Sequence, residues 1–299
     1  MEQENTFIEL VEIMTKYSKN DGINNTKIDG LHCFKMSELH IRLPVIYRPS
    51  IFIVAQGSKQ VLLEKEIFQY SQGQYLVVSV DLPLIGEVTT ASQNKPYLCA
   101  QIDIDAQVMN EIAISLNSKK SLPSTTDKGI FVGDVNNNLM SCVLRLIRLL
   151  DTPEDIPYLA PMLFQEIYYR LLSGPHGATI IQTCLHESNT QRIAKAINKM
   201  KMDITKPLDI KELARLINTS TSNFYSIFKK VTGLSPLQYL KRLRLTEARN
   251  ILISNNIDVT RTAYLVGYES PTQFNREYAR LFGTPPLRDV KNLKYKTPY

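Results

Sequence analysis

Two 17-residue segments, STSNFYSIFKKVTGLSP (residues 220–236) and SPTQFNREYARLFGTPP (residues 270–286), carry the same pattern 50 residues apart. Four residue types recur at matching positions: Ser220, Phe224, Gly233 and Pro236 return as Ser270, Phe274, Gly283 and Pro286. Serine is a common helix N-cap, and glycine commonly ends a helix. Each segment therefore predicts one helix with a buried aromatic stripe, over about 221–232 and 271–282.

A shorter helix is predicted before each of these segments. Asp209 is a good N-cap, and Glu212 three residues later completes a capping box. Asp258 opens the corresponding helix of the second copy. Asn218 and Gly267 stand between the paired helices, and both residue types tolerate the left-handed backbone of a tight turn. The repeat therefore predicts two helix-turn-helix units, at about 208–232 and 258–282.

A helix from Ser235 to about Ser254 is predicted between the two units. Twenty helical residues span roughly 30 Å. Two recognition helices that enter successive major grooves on one face of double-stranded DNA must lie about one helical turn, ~34 Å, apart. A rigid helix of this length between the units therefore favours simultaneous binding to adjacent major grooves.

The charge of the chain is divided unevenly. The 299 residues contain 35 Lys and Arg against 29 Asp and Glu, a net charge of +6. Residues 188–299 hold 20 basic and 8 acidic residues, a net charge of +12, whereas residues 1–187 carry −6. This division is typical of a nucleic-acid-binding domain joined to a separate partner or sensor domain. We expect the domain boundary at residues 187 and 188.

The first domain shows mainly strand signals. Short apolar runs at 51–55, 61–63, 75–80 and 97–102 alternate with turn residues, which favours a small barrel or sandwich. Helices are predicted over the first ~20 residues, 138–150 and 158–172, followed by a linker at 174–189. The sequence therefore predicts an α+β protein, with a β-barrel and flanking helices before an all-α domain.

The helical motifs resemble the DNA-binding domain of the AraC/XylS transcriptional regulators. The resemblance covers about residues 190–290 and is carried by residues 209–214, 228–236, 244–248, 267–274 and 282–286. Residues 47–50, 54–57, 75–83 and 150–157 are similar to the subgroup with a cupin-like N-terminal domain. The resemblance implies a ligand-responsive transcription regulator that is not an enzyme. The chain departs from the family at Asn218, where glycine is usual, and at Tyr278, where phenylalanine is usual.

The exposed faces of the two second helices are the candidate DNA-reading surfaces, because recognition helices read bases mainly through their N-terminal residues. The base-reading candidates that match the family pattern are Ser222, Tyr225, Ser226, Thr272, Gln273 and Arg276. Arg276 suits guanine and Gln273 suits adenine. The candidates for phosphate contact are Lys229, Lys230, Lys241 and Arg280. Arg244, in the connecting helix, is expected to form a structural ion pair.

Two other functions are compatible with parts of this sequence. A cupin-type enzyme with an incidental basic tail is one, but His32 and His40 do not form the spacing of a metal site, so neither a metal nor another cofactor is expected. A general architectural DNA-binding protein is the other. The four dispersed cysteines and the absence of a signal-like or ~20-residue apolar segment predict a cytoplasmic protein without a membrane partner. RNA polymerase and a second copy of the chain are further candidate partners, and no ligand residue is identified.

Overall fold

A computed structural model of the chain describes residues 2–39, 43–117, 128–184, 188–254 and 257–296. Its strands are β1 (Gly22–Asn25), β2 (Leu31–Met36), β3 (Leu43–Tyr47), β4 (Ser50–Gln56), β5 (Ser58–Leu63), β6 (Glu66–Ser71), β7 (Gln74–Val78), β8 (Leu82–Thr90), β9 (Tyr97–Asp103) and β10 (Ile130–Asp134). Its helices are α1 (Glu2–Tyr17), α2 (Ala106–Asn117), α3 (Asn137–Arg148), α4 (Ile156–Ser173), α5 (Gly177–Cys184), α6 (Asn189–Met202), α7 (Ile210–Leu216), α8 (Thr221–Thr232), α9 (Pro236–Ser254), α10 (Val259–Leu265), α11 (Pro271–Phe282) and α12 (Pro286–Lys296).

The described strands form two antiparallel sheets. One has the order β1-β2-β9-β4-β7-β10, and the other has the order β3-β8-β5-β6. The four predicted strand runs correspond to β4, β5, β7 and β9. The other strands were not predicted individually, and residues 82 and 83, predicted as part of a turn, belong to β8. The α+β class, with antiparallel sheets before a helical region, is confirmed.

Strand alternation divides the core of the first domain. Ile51 and Ile53 of β4 pack with α1, α3 and α4 on the outer face of the larger sheet. Phe52 and Val54 point the other way, toward the smaller sheet. Successive side chains of a strand face opposite sides, so this continuous apolar run is buried on both faces. The space between the sheets is therefore lined by both of them.

The predicted linker is partly helical. Residues 177–184 form α5, which packs against α2, α4 and α6. Ile180 and Ile181 are buried in the core of the first domain. The interpretation of residues 174–189 as a plain linker is therefore wrong, because this short helix has an apolar face that tertiary contacts bury.

The helical region begins at α6 and contains the predicted pairs, α7 with α8 and α10 with α11, joined by the 19-residue α9. The first pair shares a continuous apolar cluster with the sheets: Leu63 of β5 and Val231 of α8 both belong to it. The second pair has its own core around Phe274 and Tyr278. The first unit is therefore packed against the sheet domain, and the second unit is not part of that shared core.

Polar contacts reinforce the packing between the sheets and the first unit. Asp81, between β7 and β8, forms an ion pair with Lys201 of α6 at 2.6 Å. The hydroxyl of Tyr239 in α9 donates to the carbonyl of Asp81 at 2.8 Å, and Arg242 donates to the carbonyl of Pro83 at 3.2 Å. These hydrogen bonds fix the start of α9 against the sheet domain.

Candidate nucleic-acid interface

The first helix-turn-helix unit has the predicted caps and turn. The Asp209 side chain accepts a hydrogen bond from the backbone N–H of Glu212 at 3.0 Å. Asn218 adopts φ +52°, in the left-handed region that the sequence predicted for the turn. Ser220 caps α8 through the N–H of Asn223, and Gly233 ends that helix at φ +73°. These features set the angle at which α8 leaves α7.

Helix α8 presents the predicted polar face. Phe224 and Phe228 are fully buried, whereas Ser222, Tyr225 and Ser226 are exposed on the opposite side. The ring of Tyr225 packs edge-on against Phe224, with ring centroids 6.4 Å apart. The phosphate candidates Lys229 and Lys230 are also exposed, at the end of this helix. The three base-reading candidates and both lysines therefore lie on accessible parts of one helix.

The second unit repeats this arrangement. Asp258 caps α10 through the N–H of Arg261 at 2.9 Å. Gly267 adopts φ +87°, and a Cβ atom there would lie 2.7 Å from the Cα of Thr205, so the turn requires glycine. Ser270 caps α11 through the N–H of Gln273 at 3.3 Å. The candidates Thr272, Gln273, Arg276 and Arg280 are all exposed on α11.

The buried carboxylate of Glu277, which the sequence motifs did not single out as a site residue, lies behind this second face. Glu277 is only 6% exposed. Its Oε1 accepts from Lys241 Nζ at 2.7 Å and from Gln273 Nε2 at 3.2 Å, and its Oε2 accepts from the Tyr268 hydroxyl at 2.9 Å. Burial raises the pKa of Glu277, but the hydrogen bonds from Lys241, Gln273 and Tyr268 outweigh burial and lower it overall.

This network changes the interpretation of two sequence candidates. Lys241 is half-buried and its ammonium pairs with Glu277, so this phosphate candidate also has a partner within the protein. Gln273 is exposed, but one N–H of its amide is engaged by Glu277. The signal for Glu277 in the sequence was its position three residues after Phe274, which places it beside the buried stripe.

Among the described residues, the guanidinium of Arg244 has carbonyl partners and not the carboxylate that was expected. Its guanidinium donates to the carbonyl oxygens of Ile204 and Lys206, each at 2.8 Å. It therefore ties α9 to the segment that enters α7. Arg244 therefore has the predicted structural role, with backbone carbonyls in place of the predicted carboxylate within the described part of the chain.

The far end of α9 is held by a buried ion pair. Arg249 contacts both carboxylate oxygens of Asp289 in α12, at 2.8 and 3.1 Å. The hydroxyl of Tyr278 in α11 donates to the same carboxylate at 2.9 Å. Helices α9, α11 and α12 are thus connected through Asp289. The buried carboxylate thus joins the second unit to α9 through charged and hydroxyl hydrogen bonds.

The first domain contains a cavity of 410 Å³ between its two sheets. His32 on its wall contacts Asn25 at 3.0 Å and Asp103 at 3.2 Å. His40 and His186 lie outside the described residues. Within those residues, no three His, Cys, Asp or Glu side chains converge as a metal site. Cys99 is buried, and burial raises the pKa of its thiol to about 11, which fits the core position that was predicted.

Two family models match the chain. One describes the N-terminus of AraC-type transcriptional regulators and matches residues 27–179, and the other describes a helix-turn-helix domain and matches residues 213–291. The first match covers just over half of the chain. The chain therefore belongs to the family of AraC-type transcriptional regulators, as the sequence motifs predicted. In the described part of the chain, no helix has the length and apolar character that crossing a membrane requires.

Individual relatives agree with this assignment. The chain is 29% identical to the HTH-type transcriptional regulator GbdR of Pseudomonas aeruginosa over 99 residues, 33% of this chain and 27% of GbdR. It is 21% identical to the HTH-type transcriptional regulator ExsA of the same species over 241 residues, 80% of this chain and 84% of ExsA. The chain spans only 27–37% of the length of several curated relatives, GbdR among them.

The fold is similar to that of ToxT from Vibrio cholerae. An apo ToxT variant from strain SCE256 superposes with a TM-score of 0.60 at 12% identity, covering 91% of this chain and 99% of that one. ToxT from the same strain has also been solved bound to an unsaturated fatty acid, with a TM-score of 0.57 at 10% identity, covering 87% and 93% of the two chains. At these identities the similarity establishes the fold.

Proposed function

We propose that this chain is a sequence-specific DNA-binding transcription regulator that responds to a small molecule through its N-terminal domain. One observation carries the proposal: two capped recognition helices with exposed polar faces, α8 and α11, both contact one 19-residue helix. That helix is about 28 Å long, close to the ~34 Å that separates successive major grooves on one face of DNA. The +12 charge of residues 188–299 favours the same partner.

In this proposal residues 1–187 form the sensor domain and residues 188–299 form the DNA-binding domain. Ser222, Tyr225, Ser226, Thr272, Gln273 and Arg276 read bases, and Lys229, Lys230 and Arg280 contact phosphates. The Gln273 amide has two N–H groups, so one can donate to Glu277 while the other, with Oε1, pairs with adenine. Glu277 thereby orients a base-reading side chain, and Lys241 neutralises the carboxylate behind it.

The sensor function rests on the family and on the cavity between the sheets. ToxT has been solved with bound acids, an unsaturated fatty acid and a naphthalenyl butenoic acid. A regulator of this kind acts in the cytoplasm, where the promoter is, with RNA polymerase and a second copy of the chain as further partners. In this proposal residues 1–187 bind an effector and do not convert it.

Footprinting on the DNA upstream of the gene for this chain and of adjacent genes tests the proposal. We expect discrete protection of two adjacent major-groove segments. Uniform, sequence-independent protection would support an architectural protein instead. Product formation from a small molecule incubated with the full chain would support the enzyme alternative.

A further inference from the structure

A buried lysine points into the space between the two sheets. Along β5, Lys59, Val61 and Leu63 are buried, while Gln60 and Leu62 on the other face are half-exposed. Lys59 is only 8% exposed. Inward positions of a strand normally hold apolar residues, because one face of the sheet is removed from water. Lys59 therefore places a cationic group where the strand pattern calls for another valine or leucine.

Aromatic rings, rather than a carboxylate, surround this ammonium group. The Nζ atom of Lys59 lies 4.5 Å from the ring centroid of Phe34, 5.4 Å from that of Tyr47 and 5.9 Å from that of Tyr97. No ion pair joins Lys59 to a carboxylate in the described ranges of the chain. Cation–π contacts offset only part of the cost of removing a charge from water. An anion at this position would supply the missing partner.

The ammonium borders a space large enough for a ligand. Lys59, Tyr97 and the apolar side chains of Phe52 and Val88 line the 410 Å³ cavity, which is within the ~300–1,000 Å³ range of small-molecule sites. Gly86 keeps this space open, because a Cβ atom there would lie 2.6 Å from the hydroxyl of Tyr47 and 3.3 Å from Lys59 Cε.

Arg48 also lines the cavity, but it is exposed, so Lys59 is the buried cation of this wall. Tyr97 contributes its ring to the wall, while its hydroxyl is buried among protein atoms and does not face the open space. The carboxylate of Asp103 is engaged by His32 at 3.2 Å and by the hydroxyl of Ser50, also at 3.2 Å. One buried cation among apolar side chains suits a monoanion better than a dianion, because each further buried charge needs its own partner.

We propose that the cavity binds a small carboxylic acid, with its carboxylate on Lys59 and its apolar body between Phe52 and Val88. The acid is then the effector class of the regulator, and that regulatory meaning rests on the function proposed above. The carboxylate supplies the anionic partner that the ammonium of Lys59 lacks among the described residues.

Calorimetry on the full chain tests this assignment with paired probes of the same shape. The probes are 1-naphthylacetate, phenylacetate and hexanoate, each compared with its neutral amide. We expect at least one acid to bind, and its amide to bind at least about tenfold more weakly, the loss that accompanies removal of a charge-assisted hydrogen bond. Lys59→Met should weaken binding of the acid by a similar factor and leave binding of the amide unchanged. Lys65→Met, at an exposed lysine in the turn after β5, should change neither.

Three outcomes would overturn the assignment: equal binding of acid and amide, unchanged acid binding by Lys59→Met, or no binding of any acid at roughly millimolar concentration. Footprinting without ligand keeps this result separate from the proposed function. Discrete protection of DNA without acid binding removes only the cavity assignment. Acid binding through Lys59 without discrete protection leaves the cavity assignment intact and removes the regulator proposal.

Discussion

The ammonium of Lys241 lies 2.7 Å from Oε1 of Glu277, and this contact joins the connecting helix α9 to the second recognition helix α11. The carboxylate is almost fully buried, while the lysine is half-buried. A residue that the sequence suggested for phosphate contact thus has a partner within the protein. The same carboxylate holds the amide of Gln273, so the pair connects the position of α11 with the orientation of a base-reading side chain.

Glu277→Ala should weaken discrimination at the base pair read by Gln273. The substitution frees the Gln273 amide to rotate and leaves Lys241 without its partner, and we expect it to reduce the free energy of unfolding by about 1–3 kcal/mol. Competition binding with operators varied at one position measures the discrimination. Glu269→Gln, at an exposed carboxylate in the same unit, is the matched control. Full discrimination by a folded Glu277→Ala protein would show that the network does not orient Gln273.

Lys229→Ala and Lys241→Ala should differ in their salt dependence. Lys229 is exposed at the end of α8, and its loss should reduce the slope of log K against log salt by about one phosphate contact, ~0.9. Lys241 is paired with Glu277, so its loss should lower affinity while leaving the slope unchanged. Binding isotherms at several salt concentrations measure both slopes. If both variants reduced the slope equally, Lys241 would also contact a phosphate.

Arg276→Ala should lose sequence discrimination rather than general affinity. An arginine that forms two hydrogen bonds with guanine contributes ~1–3 kcal/mol of discrimination against the wrong base. Arg276 is exposed on the N-terminal half of α11, and Arg280 lies one turn further along. We expect Arg280→Ala to weaken binding to all sequences equally. A selection from random DNA reports the preference at each position, and uniform weakening by Arg276→Ala would assign it to phosphate.

Gly267→Ala should destabilise the protein more than Gly283→Ala. Both glycines have positive φ, at +87° and +76°, so alanine costs roughly 1–2 kcal/mol of backbone strain at each. At Gly267 the new Cβ would also lie 2.7 Å from the Cα of Thr205, whereas nothing lies within 4 Å at Gly283. Urea unfolding of the two variants isolates this additional steric cost. Equal losses would mean that the neighbouring segment moves aside without penalty.

The helical half was well predicted from the sequence because its signals are local. Ser220 and Ser270 cap their helices, and Asn218 and Gly267 form the turns at the expected positions. Residues 174–189 were predicted as a linker, and the helix α5 within them was not predicted, because it depends on burying Ile180 in the core of the first domain. The strands β1, β2 and β3 were not predicted individually, for a similar reason. Short strands are stabilised by partners far away in the sequence, and their own residues carry a weak signal.

The exposed faces of α8 and α11 follow from the sequence alone, because the 3.6-residue period and the caps determine which side of each helix is buried. Only the tertiary structure decided what lies behind those faces. It pairs Lys241 with Glu277 and joins the first unit to the sheets through Leu63 and Val231. It also points the side chain of Lys59 into a cavity with aromatic walls. These contacts bring together residues from separate elements, and their burial and partners depend on packing that no local pattern encodes.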